Sequence, residues 1–154
     1  MPPKITNRKA YRDYEIEEKF EAGIVLLGPE VKSIRAGRVS LKEAYARVIK
    51  GEVWIIGMHI TPYDNAGYTE LNPTRRRKLL LNKHEIRRIF RKTEQAGYTL
   101  IPLELYFDDN NRVKLLIGLG KGRTKYDKKQ YLIEKQVERE KRREVREWEK
   151  GKRG

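Results

Sequence analysis

The chain contains no cysteine. That excludes a disulfide scaffold, a thiolate metal site and cysteine nucleophile chemistry. Histidine is nearly as scarce: His59 and His84 are the only two, and neither has a companion at ligand spacing. Two tryptophans, three phenylalanines and a hydrophobic fraction of 38% are little apolar material for 154 residues. Part of the chain is therefore expected outside the core, with the rest folded as one domain. No run approaches the ~18 apolar residues of a membrane span. Residues 1–10 lack the apolar run of a secretory signal. A soluble, basic, intracellular protein is expected. Acidic residues are the other minority, 22 against 36 Lys and Arg, for a net charge of +14. So basic a chain suits a polyanion, nucleic acid first and an anionic membrane surface second. The same richness in Lys, Arg and Glu is also what a hyperthermophile shows.

The charge is uneven. Residues 121–154 hold 14 basic and seven acidic residues, so less than a quarter of the chain carries half of the net charge. Apolar residues thin out after Tyr126. The reading is a folded domain over 1–120, its first ten residues flexible, and a basic tail over 121–154. With attractive and repulsive i,i+4 pairs interleaved, that tail is expected to be disordered or marginally helical alone and helical against a partner.

Within 1–120 the dominant period is two. Ile101, Leu103, Leu105 and Phe107 alternate, Asp108–Asn111 supplies turn chemistry, and Val113, Leu115, Ile117 and Leu119 resume the pattern. Ala44–Lys50 and Glu52–Ile60 around Gly51 read as a second hairpin. A helix is expected from Asn82, with Glu85 three residues on, an apolar face of Ile86, Ile89 and Phe90, and a stop at Gly97. A shorter one is expected from Pro29 to Ala36. The fold class is mainly β: a closed or nearly closed antiparallel barrel of about six strands with two or three peripheral helices and a basic C-terminal tail.

Among candidate sites, the densest basic cluster is Arg75-Arg76-Arg77-Lys78 followed by Lys83, Arg87, Arg88, Arg91 and Lys92, opposed only by Glu85. An ordinary solvated face mixes signs, so phosphate contact is expected here, with Arg75, Arg77 and Lys78 as RNA-binding candidates. Gly118-Leu-Gly-Lys-Gly-Arg-Thr-Lys125 fails as a Walker loop, because Gly120-Lys121 is followed by Gly122, and it fails as a dinucleotide fingerprint. It reads as a flexible hinge, either a plain linker or a backbone that approaches phosphates. Tyr126 lies among Lys121, Arg123, Lys125, Lys128 and Lys129, as a ring stacking on a base or as an anchor for the tail. Asp108 and Asp109 shape a turn. No serine has a base and an orienter, so neither an enzyme nor a cofactor is expected.

The block Phe20-Glu-Ala-Gly-Ile-Val-Leu-Leu-Gly-Pro-Glu-Val-Lys-Ser-Ile-Arg-Ala-Gly37 resembles the signature of the SsrA-binding protein family, also called small protein B. The resemblance continues through Ile60-Thr-Pro62, Pro73-Thr-Arg75, Arg77-Lys-Leu-Leu-Leu-Asn82, Gly97-Tyr-Thr99 and Lys121-Gly-Arg-Thr-Lys-Tyr-Asp-Lys-Lys129. It implies a closed six-stranded OB-like Greek-key barrel and a cytoplasmic, monomeric adaptor without catalysis. That adaptor binds the tRNA-like domain of transfer-messenger RNA and, with elongation factor Tu, brings it to stalled bacterial ribosomes for trans-translation. By the same resemblance, Glu21, Arg35, Leu80, Asn82, Lys114, Lys121, Gly122 and Arg123 contact the RNA. Tyr126, Asp127, Lys128 and Lys129 begin a tail that enters the small-subunit decoding centre and the empty message channel. The family often has histidine where Tyr126 stands and usually arginine where Lys129 stands; lysine keeps the charge but not the bidentate fork. A general ribosomal or single-strand RNA-binding protein is the alternative, sharing charge, barrel and tail.

Overall fold

The structure, a computed structural model, describes residues 2–62 and 72–152, with 147–152 described by their backbone alone. Met1 and residues 153–154, the outer ends of the two segments expected to be flexible, lie outside the described residues.

The alternating segments build a seven-stranded antiparallel sheet. Its spatial order is β1 (Ile5–Thr6), β8 (Thr99–Phe107), β9 (Val113–Gly122), β2 (Tyr14–Ile24), β7 (Arg77–Leu80), β5 (Glu52–Ile56) and β4 (Tyr45–Ile49). A separate pair joins β3 (Val39–Ser40) to β6 (His59–Ile60). The expected closed six-stranded barrel is corrected in both count and closure. β1 and β4 are the edges of the large sheet, and β4 packs beside β8 without a hydrogen-bonded ladder. The cause lies in the segment expected to be one long strand from Glu52 to Ile60. Gly57 turns the chain at φ +77°, so close to β4 that a Cβ there would lie 2.7 Å from the Glu43 carbonyl oxygen. β6 then pairs with β3 instead of extending the large sheet, and His59 is exposed. The β4–β5 connection is a two-residue hairpin at Lys50 and Gly51, both at positive φ as a type I′ turn requires.

Among the described residues three helices flank the sheet, within the two or three expected, α1 (Arg8–Asp13), α2 (Gly28–Arg35) and α3 (Lys83–Gln95), and the basic tail forms a fourth, α4 (Lys125–Lys152). The main core lies on one face of the sheet, where Phe20, Val53, Ile55, Leu79, Leu105, Leu115, Ile117 and Leu119 meet Ile89 of α3. A smaller core lies on the other face, where Ala10 of α1 covers Ile101 and Leu103. A register shift in β8 between Pro102 and Glu104 lets this strand serve both cores. The first ten residues, expected to be flexible, supply β1 and the start of α1. The Asn7 N–H donates to the Leu103 carbonyl at 2.8 Å, and its side-chain amide donates to the Pro102 carbonyl at 3.0 Å.

The glycines expected to form a hinge instead end β9. A Cβ on Gly118 would sit 2.8 Å from Leu103 Cδ1, and one on Gly120 would sit 2.4 Å from the Glu15 carbonyl oxygen. They are glycines because β2 and β8 press against them, not because the chain flexes there. Gly120→Ala should therefore destabilise the fold by about 1–3 kcal/mol through overpacking, measured as a drop in the urea midpoint. Gly122→Ala, with nothing within 4 Å of its Cβ position, should be nearly neutral.

Candidate nucleic-acid interface

The basic run 75–78 divides by strand parity. Arg77 and Leu79 point into the core, whereas Lys78 and Leu80 point outward. Arg77 is 1% exposed and donates from Nε to Glu30 Oε2 at 2.6 Å, and from its two remaining nitrogens to the carbonyls of Met58 at 2.8 Å and Pro73 at 3.1 Å. Arg75 joins it on Glu30, with Nε 3.1 Å from Oε2 and NH2 hydrogen-bonded to Oε1. Glu30, itself 3% exposed, also accepts from the Leu27 N–H at 2.9 Å. Burial alone would raise the Glu30 carboxyl, but Arg75, the Leu27 N–H and Arg77 together hold it below the usual carboxylate range. Arg77 is thus corrected from an RNA contact to a buried structural cation, and Arg75 is largely consumed in the same cluster. Lys78 is half-buried, 3.5 Å from Glu52.

The outward positions converge on one surface. Register places Tyr106, Lys114, Gly23 and Leu80 side by side across β8, β9, β2 and β7. The next outward row holds Glu104, Leu116 and Glu21. Gly23 keeps the row's centre low: a Cβ there would lie 3.3 Å from Leu80 Cβ. Leu80 is 52% exposed, an apolar side chain with no core to join. Tyr106 donates its hydroxyl to Glu21, and burial together with that hydrogen bond raises the phenol's pKa. Arg35, the last residue of α2, lies over the Phe107 ring at 5.0 Å, at the end of the same strands. Asn82, exposed at the N-cap of α3, follows β7, and its N–H donates to Glu85 Oε1 at 3.0 Å.

Lys121, Gly122 and Arg123 do not join this surface. Lys121 lies seven positions beyond Lys114 along β9, roughly 24 Å of strand. Lys121 stands 4.7 Å from the Tyr98 ring centroid, and the Arg123 guanidinium 4.6 Å from that of Tyr131. The Arg123 N–H donates to the Asp13 carbonyl at 2.8 Å, and Lys128 Nζ lies 3.6 Å from Asp13 Oδ1. These contacts fasten the start of α4 to the end of α1. The tyrosine holding the tail is therefore Tyr131, which the sequence reading did not single out, while Tyr126 is 69% exposed. Asp127 helps start the helix: its N–H donates to Thr124 Oγ1 at 3.1 Å, and its Oδ2 accepts from the Thr124 N–H at 3.4 Å. Lys129 is exposed, and α4 is exposed throughout residues 132–146. Where α4 leaves α1, a cleft carries Arg8, Lys9, Arg12, Lys42, Lys135 and Arg139 against, among the described residues, one acid, Glu43. Among the described residues there is no metal-ligating cluster.

A family profile described as SmpB protein matches residues 4–147. This chain belongs to the SmpB family. The SsrA-binding protein of Syntrophobacter fumaroxidans is 54% identical over 134 residues, 87% of this chain and 83% of that relative. That of Anoxybacillus flavithermus is 50% identical over 144 residues, 94% and 93% of the two chains. A solved structure described as "tmRNA-SmpB: a journey to the center of the bacterial ribosome" matches with a TM-score of 0.66 at 45% identity, covering 84% of this chain and 94% of that one. Within the SmpB signature, residues 20–37, the inward Phe20 and Ala22 build the core, Glu30 neutralises the buried arginine, and Glu21 and Arg35 reach the surface.

Asn82 combines a helix cap with a surface position in this arrangement. Asn82→Asp keeps a good N-cap residue but adds charge and removes the amide donor. It should leave thermal unfolding unchanged and weaken RNA binding; equal affinity in a filter-binding titration would confine Asn82 to capping.

Proposed function

We propose that this chain binds the tRNA-like domain of transfer-messenger RNA through the outer sheet face and carries that RNA to stalled ribosomes for trans-translation. The observation that carries the reading is the convergence of Glu21, Leu80 and Lys114 on adjacent outward rows, with Asn82 and Arg35 at the ends of those strands. Their chemistry is complementary: cations for phosphates, carboxylate and amide for base edges or ribose hydroxyls, and an exposed leucine for an unstacked base. The names of the relatives, SsrA-binding proteins, and the pairing of tmRNA with SmpB and the ribosome in the structural neighbour's description support it. In this reading residues 1–120 are the RNA-binding body. Lys121, Gly122 and Arg123 extend the RNA contact toward the tail over 121–154. Tyr126, Asp127, Lys128 and Lys129 begin the part that enters the decoding centre and the empty message channel. Elongation factor Tu joins through the RNA, and the protein acts in the cytoplasm as an adaptor that catalyses nothing.

The test is a titration with the isolated tRNA-like RNA against an unrelated RNA at moderate salt. The tRNA-like RNA should be preferred. With four to six phosphates neutralised, the log–log salt slope should be about −3 to −5. A flat salt response, or no preference, would sink the reading.

A further inference from the structure

We propose that the groove between α3 and the β4–β5 turn binds an unpaired stretch of RNA, its phosphates along Lys83, Arg87 and Arg91 and one base against Phe90. The inference rests on the RNA-binding reading above and extends it to a second, single-stranded segment. The groove has a volume of about 860 Å³, and among the described residues no carboxylate lines it. Its apolar floor is Val48, Ile86 and Phe90, and Phe90 is 49% exposed. The expected apolar face of α3 is therefore divided: Ile89 enters the core, and Phe90 opens into the groove.

The three cations stand at i, i+4 and i+8, hence on one face of the helix, separated by about 6 Å of rise at each step. That spacing is close to the separation of successive phosphates on a nucleic-acid strand. Like charges at i,i+4 destabilise a helix. Among the described residues none of the three has an ion-pair partner, whereas the neighbouring Arg88 is held by Glu18 at 2.6 Å. Packing gives no reason for an uncompensated stripe beside an exposed ring, but a polyanion with flat bases does. Gly51, with open space around its Cβ position, leaves the opposite wall low enough to admit a base. A duplex hides its bases from such a ring, so the occupant is unpaired. Lys83, at one end of the groove, directly follows Asn82, the exposed N-cap already proposed as an RNA contact.

The experiment is an anisotropy titration of the full chain with a labelled RNA hexamer, and in parallel with the tRNA-like RNA. The variants are Phe90→Leu and the triple Lys83→Gln, Arg87→Gln, Arg91→Gln, all at exposed positions, with melting curves to check folding. The triple variant should bind the hexamer roughly tenfold or more weakly, with a salt slope smaller by about 2. Phe90→Leu should weaken the hexamer by roughly fivefold or more, yet leave inorganic polyphosphate and the tRNA-like RNA unaffected. Unchanged hexamer affinity in both variants overturns the proposal, as does a wild-type groove that takes an acidic peptide and no hexamer. Failure of the wild type to prefer the tRNA-like RNA, with hexamer binding still dependent on Phe90, would overturn the proposed function and leave this groove standing.

Discussion

Glu30→Gln should cost the folded protein about 3–5 kcal/mol, because it leaves a buried guanidinium without its counter-charge. Arg77 does not escape by deprotonation, since arginine stays charged at any pH the protein survives. Nor does it reach water from a site where it is 1% exposed. Arg77→Met should be milder, because Arg75 still neutralises Glu30 from a side chain that is 29% exposed. The pH dependence follows from the carboxyl's depressed value. A group whose folded pKa lies below its unfolded one stabilises fully above the unfolded value, and that stabilisation is lost as pH falls through the folded one. Urea midpoints of the wild type should therefore fall steeply on acidification, and those of Glu30→Gln less so. Molecules of Arg77→Met that remain folded should bind RNA as the wild type does, which separates a structural cation from an RNA contact.

Removing residues 126–154 should abolish the tagging of stalled polypeptides while leaving selective binding of the tRNA-like RNA, at somewhat reduced affinity. Both cores lie before residue 120, and among the described residues no α4 side chain belongs to either. What the truncation loses is the Tyr131 and Lys128 fastening and the basic side chains of α4. Point variants must respect the helix start. Asp127→Ala breaks the reciprocal bonds with Thr124 and disturbs the whole of α4, so its loss of tagging would be ambiguous. Tyr126→Ala leaves those bonds intact and removes only an exposed ring. It should reduce tagging substantially in a reconstituted stalled-ribosome assay, with RNA affinity unchanged. Full tagging by the truncated protein would reduce the tail to an electrostatic aid.

Much of this architecture was legible where local signals agreed. The period of two across 101–119 with a polar turn produced the β8–β9 hairpin, and Asn82 with Glu85 marked the start of α3. The errors share a cause: a local signal answered by a distant partner. Gly118 and Gly120 looked flexible because the residues they admit, Leu103, Ile16 and Glu15, are remote in sequence. Arg77 looked like part of an exterior patch, although the parity it shares with Leu79 already pointed inward; its counter-charge lies 47 residues away. β1 has two residues and no period to detect. Barrel closure depended on Glu52–Ile60 staying one strand, which Gly57 interrupts. The capping box Thr124-Lys-Tyr-Asp127 is readable in the sequence, but the basic residues around it give the stronger signal. At the interface, motif resemblance named the residues, but only strand register separated Lys114 from Lys121 and joined it to Glu21 and Leu80.

The rows bearing Glu21, Lys114 and Leu80 are expected to select the tRNA-like domain of transfer-messenger RNA. The most direct measurement is to sequence the RNA that copurifies with the wild-type chain and with a Glu21→Ala, Leu80→Ala, Lys114→Ala variant of matched stability. Transfer-messenger RNA should dominate the wild-type sample and fall to the level of total cellular RNA in the variant. Equal enrichment in both samples, or none in the wild type, would contradict the account.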